Sequence, residues 1–230
     1  MVTVFNARKI ITMDRNCPIA SHVAVRDGII LAVGGPDCGD GWGQVTRDTR
    51  FADKVLMPGL IEAHAHVMAG GVWRFTYCGH YTRTDPDGTD WPGLRDYDAL
   101  IDRLRNVAKD TAPGEPVVGW GFDPSFLEGR RLDKAHLDQV STEHPVVVVH
   151  SNFHLLTANT VAIAEAGFDG GTNIEGVVKD ADGLPNGEMQ EFAAMGPVME
   201  ATRVSLPDLS DADALKASGK VARNCGVTTV

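Results

Sequence analysis

The stretch Val55-Leu56-Met57-Pro58-Gly59-Leu60-Ile61-Glu62-Ala63-His64-Ala65-His66 separates two differently patterned parts of the chain and ends on its most chemically capable residues. Val55 to Met57 is a short apolar approach, Pro58-Gly59 breaks it, and Leu60-Ile61 reads as a second apolar strand leading to the histidines. Side chains i and i+2 of an extended segment lie on one face, so the imidazoles of His64 and His66 can reach one ion. An isolated H-x-H pair occurs by chance in many soluble proteins. At the end of an apolar strand punctuated by Pro-Gly it predicts a divalent metal site, with zinc the expected ion, held through neutral imidazole nitrogens.

Upstream of this stretch, residues 1–58 read as short strands: Val2 to Phe5, Lys9 to Thr12, His22 to Val25 and Ile29 to Val33. Asp27-Gly28 between two of them is a specific hairpin signal. The Gly-rich loop from Gly39 to Gly43 has no following helix that would make it a phosphate cradle. The first part of the chain is therefore a small β module.

Downstream, strands alternate with helices, which predicts α/β architecture. Asp96 or Asp98 can cap a helix running to about Asp110, with Leu100, Ile101, Leu104, Val107 and Ala108 on one face. Val117 to Trp120 reads as a strand and Leu132 to Val140 as a helix. Pro145 to Val149 is a continuous apolar run of the kind found in a parallel strand buried on both faces. Residues 174–179 and 187–191 flank Asp182-Gly183-Leu184-Pro185, a turn between the arms of a hairpin. Ser210, with Asp211 and Asp213 behind it, starts a helix to about Asn224, and Cys225 to Val230 begins a strand.

Composition narrows the functional classes. A formal charge of −10, with no basic run longer than Arg130-Arg131, argues against a nucleic-acid partner. No apolar stretch approaches the ~20 residues needed to span a bilayer, and the N-terminus lacks a signal-peptide design, so the expectation is a cytoplasmic protein without a membrane partner. Cys17, Cys38, Cys78 and Cys225 show no C-x-x-C spacing and predict neither a zinc knuckle nor a redox pair.

Three ordered segments resemble one family. The H-x-H segment is similar to the end of the first barrel strand in the amidohydrolase superfamily. The run from Val117 to Phe168, VVGWGFDPSFLEGRRLDKAHLDQVSTEHPVVVVHSNFHLLTANTVAIAEAGF, resembles a stretch of the amidohydrolase family 3 group, the YtcJ-like proteins, as does GVVKDADGLPNGEMQEFAA. The resemblance implies a partial (β/α)8 TIM-type barrel, residues 59–230, with a hairpin insertion near 174–191. A β-sandwich module to which residues 1–58 contribute precedes it. Residues 59–230 fall short of the ~250 that such a barrel takes, so the expectation is an N-terminal portion lacking the C-terminal half.

The implied activity is metal-dependent hydrolysis of a C–N bond in a small amide-type substrate. Glu191 matches the family's glutamate position and joins His64 and His66 as a metal ligand, with Glu188 the fallback. His154 falls on a family histidine position and is the candidate catalytic residue; His150, at the end of the same apolar run, is a weaker one. Trp120 and Asp123, with Phe122 between them, and Asn159 fall on motif positions that place them at the substrate. Tyr77, His80 and Arg83 follow the histidine pair in a loop that can shape the pocket. The missing strands imply that the chain alone is inactive. One rival expectation is a non-catalytic fragment or split-enzyme subunit acting only through a complementary chain, and a second is a plain β-plus-α/β binding domain whose H-x-H pair is incidental; the expected partners are a complementary C-terminal chain or a homo-oligomer.

Overall fold

Alternating burial along Val2–Ile11 produces a single long strand, β1, where the sequence suggests two short ones; its pairing is interrupted between Asn6 and Ile10. The computed structural model describes residues 1–127, 129 and 131–230, which leaves Arg130 of the Arg130-Arg131 pair outside the described residues. The chain divides into two units, residues 1–64 with 226–230, and residues 65–225.

In the first unit β1 pairs antiparallel with β2 (Ile19–Arg26), which pairs antiparallel with β3 (Ile29–Gly34). Asp27 and Gly28 both take positive φ, 52° and 77°, as a two-residue hairpin turn that matches strand twist requires. On the other side of β1 lies a parallel strand, β4 (Val45–Leu56), giving the order β3-β2-β1-β4. Periodicity does not reveal β4, because Arg47, Asp48, Arg50, Asp53 and Lys54 crowd it with charge. It is an edge strand, where charge discourages unwanted pairing. Small clusters, Val2 with Val4 and Ala24, and Ala7 with Ile10 and Val23, form the core. Leu60–Ile61 follows as β5.

The second unit is built on a six-stranded sheet. Its parallel part contains β6 (Thr76–Tyr77), β9 (Val117–Phe122) and β10 (Val146–His150). Between β6 and β9 lie a small antiparallel pair, β7 (Arg83–Thr84) and β8 (Asp90–Trp91), and the helix α1 (Tyr97–Asp110). The Asp96 side chain caps α1 by accepting from the Ala99 amide at 2.7 Å, which resolves the choice between the two aspartates. The helix expected over 132–140 is limited to one turn, α2 (Lys134–Leu137). Asp133 and His136 close its start as a reciprocal capping box.

After β10 the direction changes. β11 (Leu155–Ala158) returns antiparallel to β10, and β13 (Pro185–Gln190) and β12 (Val177–Lys179) add antiparallel beyond it, giving the order β12-β13-β11-β10-β9-β6. The antiparallel return has a physical reason: a parallel one needs a crossover of a dozen or more residues, and only Ser151 to His154 separate β10 from β11. The described residues form a mixed α/β fold with an open mixed sheet and no closed barrel.

Helices cover both faces. Val147 and Val149 of β10 pack with α3 (Thr160–Glu165) and α4 (Glu191–Ala201), while Val146 and Val148 pack with α1 and Leu137. All five residues of β10 are buried, as the run of valines predicts. A 3-10 segment, Ala69–Arg74, packs against α5 (Ala212–Asn224). The chain then returns to the first unit as β14 (Val227–Thr229), parallel to β5. Among the described residues no helix is long and apolar enough to cross a membrane.

Candidate functional site

The register of β11 against β13 brings together two of the residues singled out above. Leu155 lies opposite Gln190, so His154 and Glu191, one step beyond each strand, meet where the ladder ends. The Glu191 amide donates to the His154 carbonyl at 2.8 Å, and His154 Nδ1 lies 2.9 Å from Glu191 Oε2. The two side chains are 63% and 68% exposed, so their attraction adds at most about 1 kcal/mol to stability. The backbone ladder positions the pair.

Two residues of this corner have left-handed backbone, Phe153 at φ 60° and Glu191 at φ 61°. For residues with a Cβ such a conformation costs on the order of 1–3 kcal/mol and persists only where the surrounding structure enforces it. At Glu191 it lets the strand turn directly into α4 without a capping side chain.

His154 lines a cavity of about 760 Å³ together with His66, Ser151 and Asn152. Met68, Val72, Phe153, Phe192 and Leu206 supply much of the remaining wall. The second unit alone thus unites one histidine of the H-x-H pair, the candidate catalytic histidine and, through its bond to that histidine, Glu191. His64 belongs to the first unit, where its amide donates to the Glu62 carboxylate at 3.0 Å. Both His64 and His66 are exposed.

The three expected substrate contacts are not in this wall. Trp120 is 4% exposed, packed edge-on against Trp73 at 4.9 Å and tilted against Tyr77 at 5.2 Å. Asp123 accepts from the Ser125 amide and from the Ser151 hydroxyl, and these bonds hold its carboxyl below the usual range against an opposing effect of burial. It reaches the cavity only through Ser151. Asn159 is buried and its amide is saturated: Oδ1 accepts from the Val146 and Ala162 amides, and Nδ2 donates to the Ser141 and His144 carbonyls.

Glu188, the fallback ligand, is otherwise engaged. Its carboxylate takes two bonds from Arg131, at 2.7 and 3.0 Å, and one from Gln190. Burial raises its pKa, but these hydrogen bonds together outweigh burial and hold it below the ordinary value. Nearby, His150 is almost fully buried and bonds Thr157 through Nε2 at 2.9 Å. Its Nδ1 finds no partner among the described residues, and burial is the main cause that depresses its pKa to about 4. His80 stacks on Phe126 at 4.7 Å. Tyr77 donates its hydroxyl to the Tyr81 carbonyl, and Arg83 is exposed on β7.

As metal donors the residues are right in kind, imidazole nitrogen and carboxylate oxygen, with Oε1 of Glu191 not engaged by His154. Among the described residues, however, no group of three or more His, Cys, Asp or Glu side chains is gathered tightly enough to hold an ion. Sequence reading missed the apolar wall, above all Phe192 and Phe153. Its sole local clue is that each adjoins a chemically suggestive residue.

The amidohydrolase family profile matches residues 52–230. Among curated proteins, the chain is 26% identical over 229 residues to the protein LONG AFTER FAR-RED 3 of Arabidopsis thaliana, covering 96% of this chain and 36% of that one. It is 23% identical over 197 residues to the "Putative amidohydrolase YtcJ" of Bacillus subtilis (strain 168), covering 81% and 34%. The chain thus spans about a third of the length of these two relatives. Among solved structures, an uncharacterized metal-dependent hydrolase from Pyrococcus furiosus shares the fold, with a TM-score of 0.55 at 16% identity, covering all of this chain and 44% of that one. The family profile accounts for well over half of the sequence, H-x-H pair and glutamate included, and the chain belongs to the amidohydrolase family.

Proposed function

We propose that this protein is a metal-dependent hydrolase that cleaves a C–N, amide-type bond of a small molecule, with His64, His66 and Glu191 as metal ligands and His154 acting on the substrate. The single observation that carries this reading is the contact of His154 with Glu191, 2.9 Å, at a cavity that His66 also lines. Membership of the family, and the likeness in fold to a protein described as a metal-dependent hydrolase, support it. A bound divalent ion, which we propose to be zinc, would supply hydroxide at neutral pH.

The chain's own groups have separable tasks. With the Glu191 carboxylate accepting at Nδ1, the favoured tautomer of His154 leaves Nε2 bare, able to take a proton from the attacking water or pass one to the departing nitrogen. Asp123 steadies the 151–154 loop through Ser151. Trp120 and Asn159 support the site from behind, by packing and by saturating backbone groups. In the same reading residues 59–230 are the first part of a (β/α) barrel, residues 1–58 contribute to a β-sandwich module, and the protein works in the cytoplasm.

Because the chain spans about a third of its relatives' length, turnover by the whole protein is part of the proposal. Metal retention by the 230-residue chain is the direct test. Elemental analysis of purified protein is expected to find a divalent metal that is lost from the His64→Ala, His66→Ala double variant. Glu191→Gln, which removes the charge and keeps the shape, is expected to weaken retention more than Glu188→Gln does. Unchanged metal content in the double variant would overturn the assignment of the histidines, and equal retention in the two glutamine variants would overturn that of Glu191.

A further inference from the structure

We infer that the 760 Å³ cavity selects an amide whose substituent is a bulky apolar group, aromatic or branched, and that Phe192 sets this preference. The inference rests on the hydrolase reading above and deepens it by naming the substrate class. Pockets for small molecules commonly measure about 300–1,000 Å³ and pair an apolar wall with a few polar groups that fix orientation. This cavity has that composition. Its polar groups, His66, Ser151, Asn152 and His154, come from two loops. Its apolar wall comes from Met68 just before the 3-10 segment, Val72 within it, the 151–154 loop (Phe153), α4 (Phe192) and the 206–207 loop (Leu206).

Phe192 stands out in this wall. It remains 62% exposed beside the His154–Glu191 pair, and its placement depends on the left-handed backbone of Glu191, the residue before it. A substituent seated against its ring removes apolar surface of both partners from water, which contributes binding in proportion to the area covered. A small polar amide such as acetamide covers little of that surface. The lining also explains why the occupant is an amphipathic small molecule: imidazole, hydroxyl and carboxamide groups share the cavity with the rings, so an amide head finds donors and acceptors while its tail meets the apolar wall.

Ligand-observed NMR titrations of the 230-residue chain with acetamide, phenylacetamide and toluene test this. Phenylacetamide is expected to bind roughly tenfold or more tighter than acetamide. Phe192→Ala should abolish that preference, and Phe192→Leu should keep most of it. Circular dichroism of both variants should match the parent, since an exposed ring contributes little to the fold. Equal affinity for the two amides, no binding by either, or a preference that survives Phe192→Ala would overturn the inference and leave the metal assignment to its own test. Phenylacetamide binding no tighter than toluene and indifferent to His154→Gln would overturn instead the amide-site reading beneath it.

Discussion

His150 shows how a single buried side chain couples this fold to pH. Its pKa near 4 in the folded protein, against an ordinary 6.5, means that the unfolded chain binds a proton that the folded chain refuses. Stability therefore rises with pH between about 4 and 6.5 and falls as acid is added across that window. Glu188, whose carboxyl is held below 4.5, adds stability that is present above its unfolded pKa and is lost as pH falls through its lower folded pKa, so it acts in a more acid range. Between pH 7 and pH 5 the wild-type protein is expected to lose about 2 kcal/mol more than a His150→Gln variant. Urea unfolding of both at the two pH values measures the difference, and parallel behaviour would show that His150 is protonated or relaxed in the fold. Asn159 makes the complementary point: the sequence motif singles it out, but its four amide bonds lock β10 to the start of α3, so its importance is architectural.

Elements in the second unit meet where side chains are absent. The 3-10 segment Ala69–Arg74 lies against α5 so closely that a Cβ on Gly70 would sit 2.2 Å from the Ser218 backbone nitrogen, and one on Gly71 2.6 Å from the Ala214 methyl. The Gly70 amide uses this approach to donate to Ser218 Oγ at 2.8 Å. Gly70→Ala is expected to cost on the order of 1–3 kcal/mol, because the backbone opposite cannot yield as a side chain would. The same substitution displaces the segment carrying Met68 and Val72, so phenylacetamide affinity should fall with stability. A thermal melt and an NMR titration of one sample measure both, and an unchanged melting temperature would mean that the segment and α5 are not packed as described. The hairpin of β12 and β13 acts differently: it supplies the register that aligns Glu191 with His154. Its turn, with Asp180 bonding the Asp182 and Leu184 amides, is the part readable from local sequence.

For the whole molecule, the division into residues 65–225 and residues 1–64 with 226–230 carries its own prediction. Both large apolar clusters and every residue lining the 760 Å³ cavity fall within 65–225. That segment expressed alone is expected to melt cooperatively and to bind phenylacetamide as the full chain does. A non-cooperative melt by circular dichroism would show that the second unit depends on the first. Local chemistry made much of this molecule legible from sequence. The Asp27-Gly28 turn, the span of α1, the buried valines of β10, the hairpin arms and the start of α5 are written in signals only a few residues long, where turn geometry, capping and periodicity act. The H-x-H pair and the glutamate were legible too, as residue types at motif positions. Strand direction beyond β10, the recruitment of the charge-rich β4, the pairing of Arg131 with Glu188 and the meeting of His154 with Glu191 were settled only in the tertiary structure. Each depends on register and on contacts between residues far apart in the chain, and no local free-energy preference encodes which distant strand end will face which.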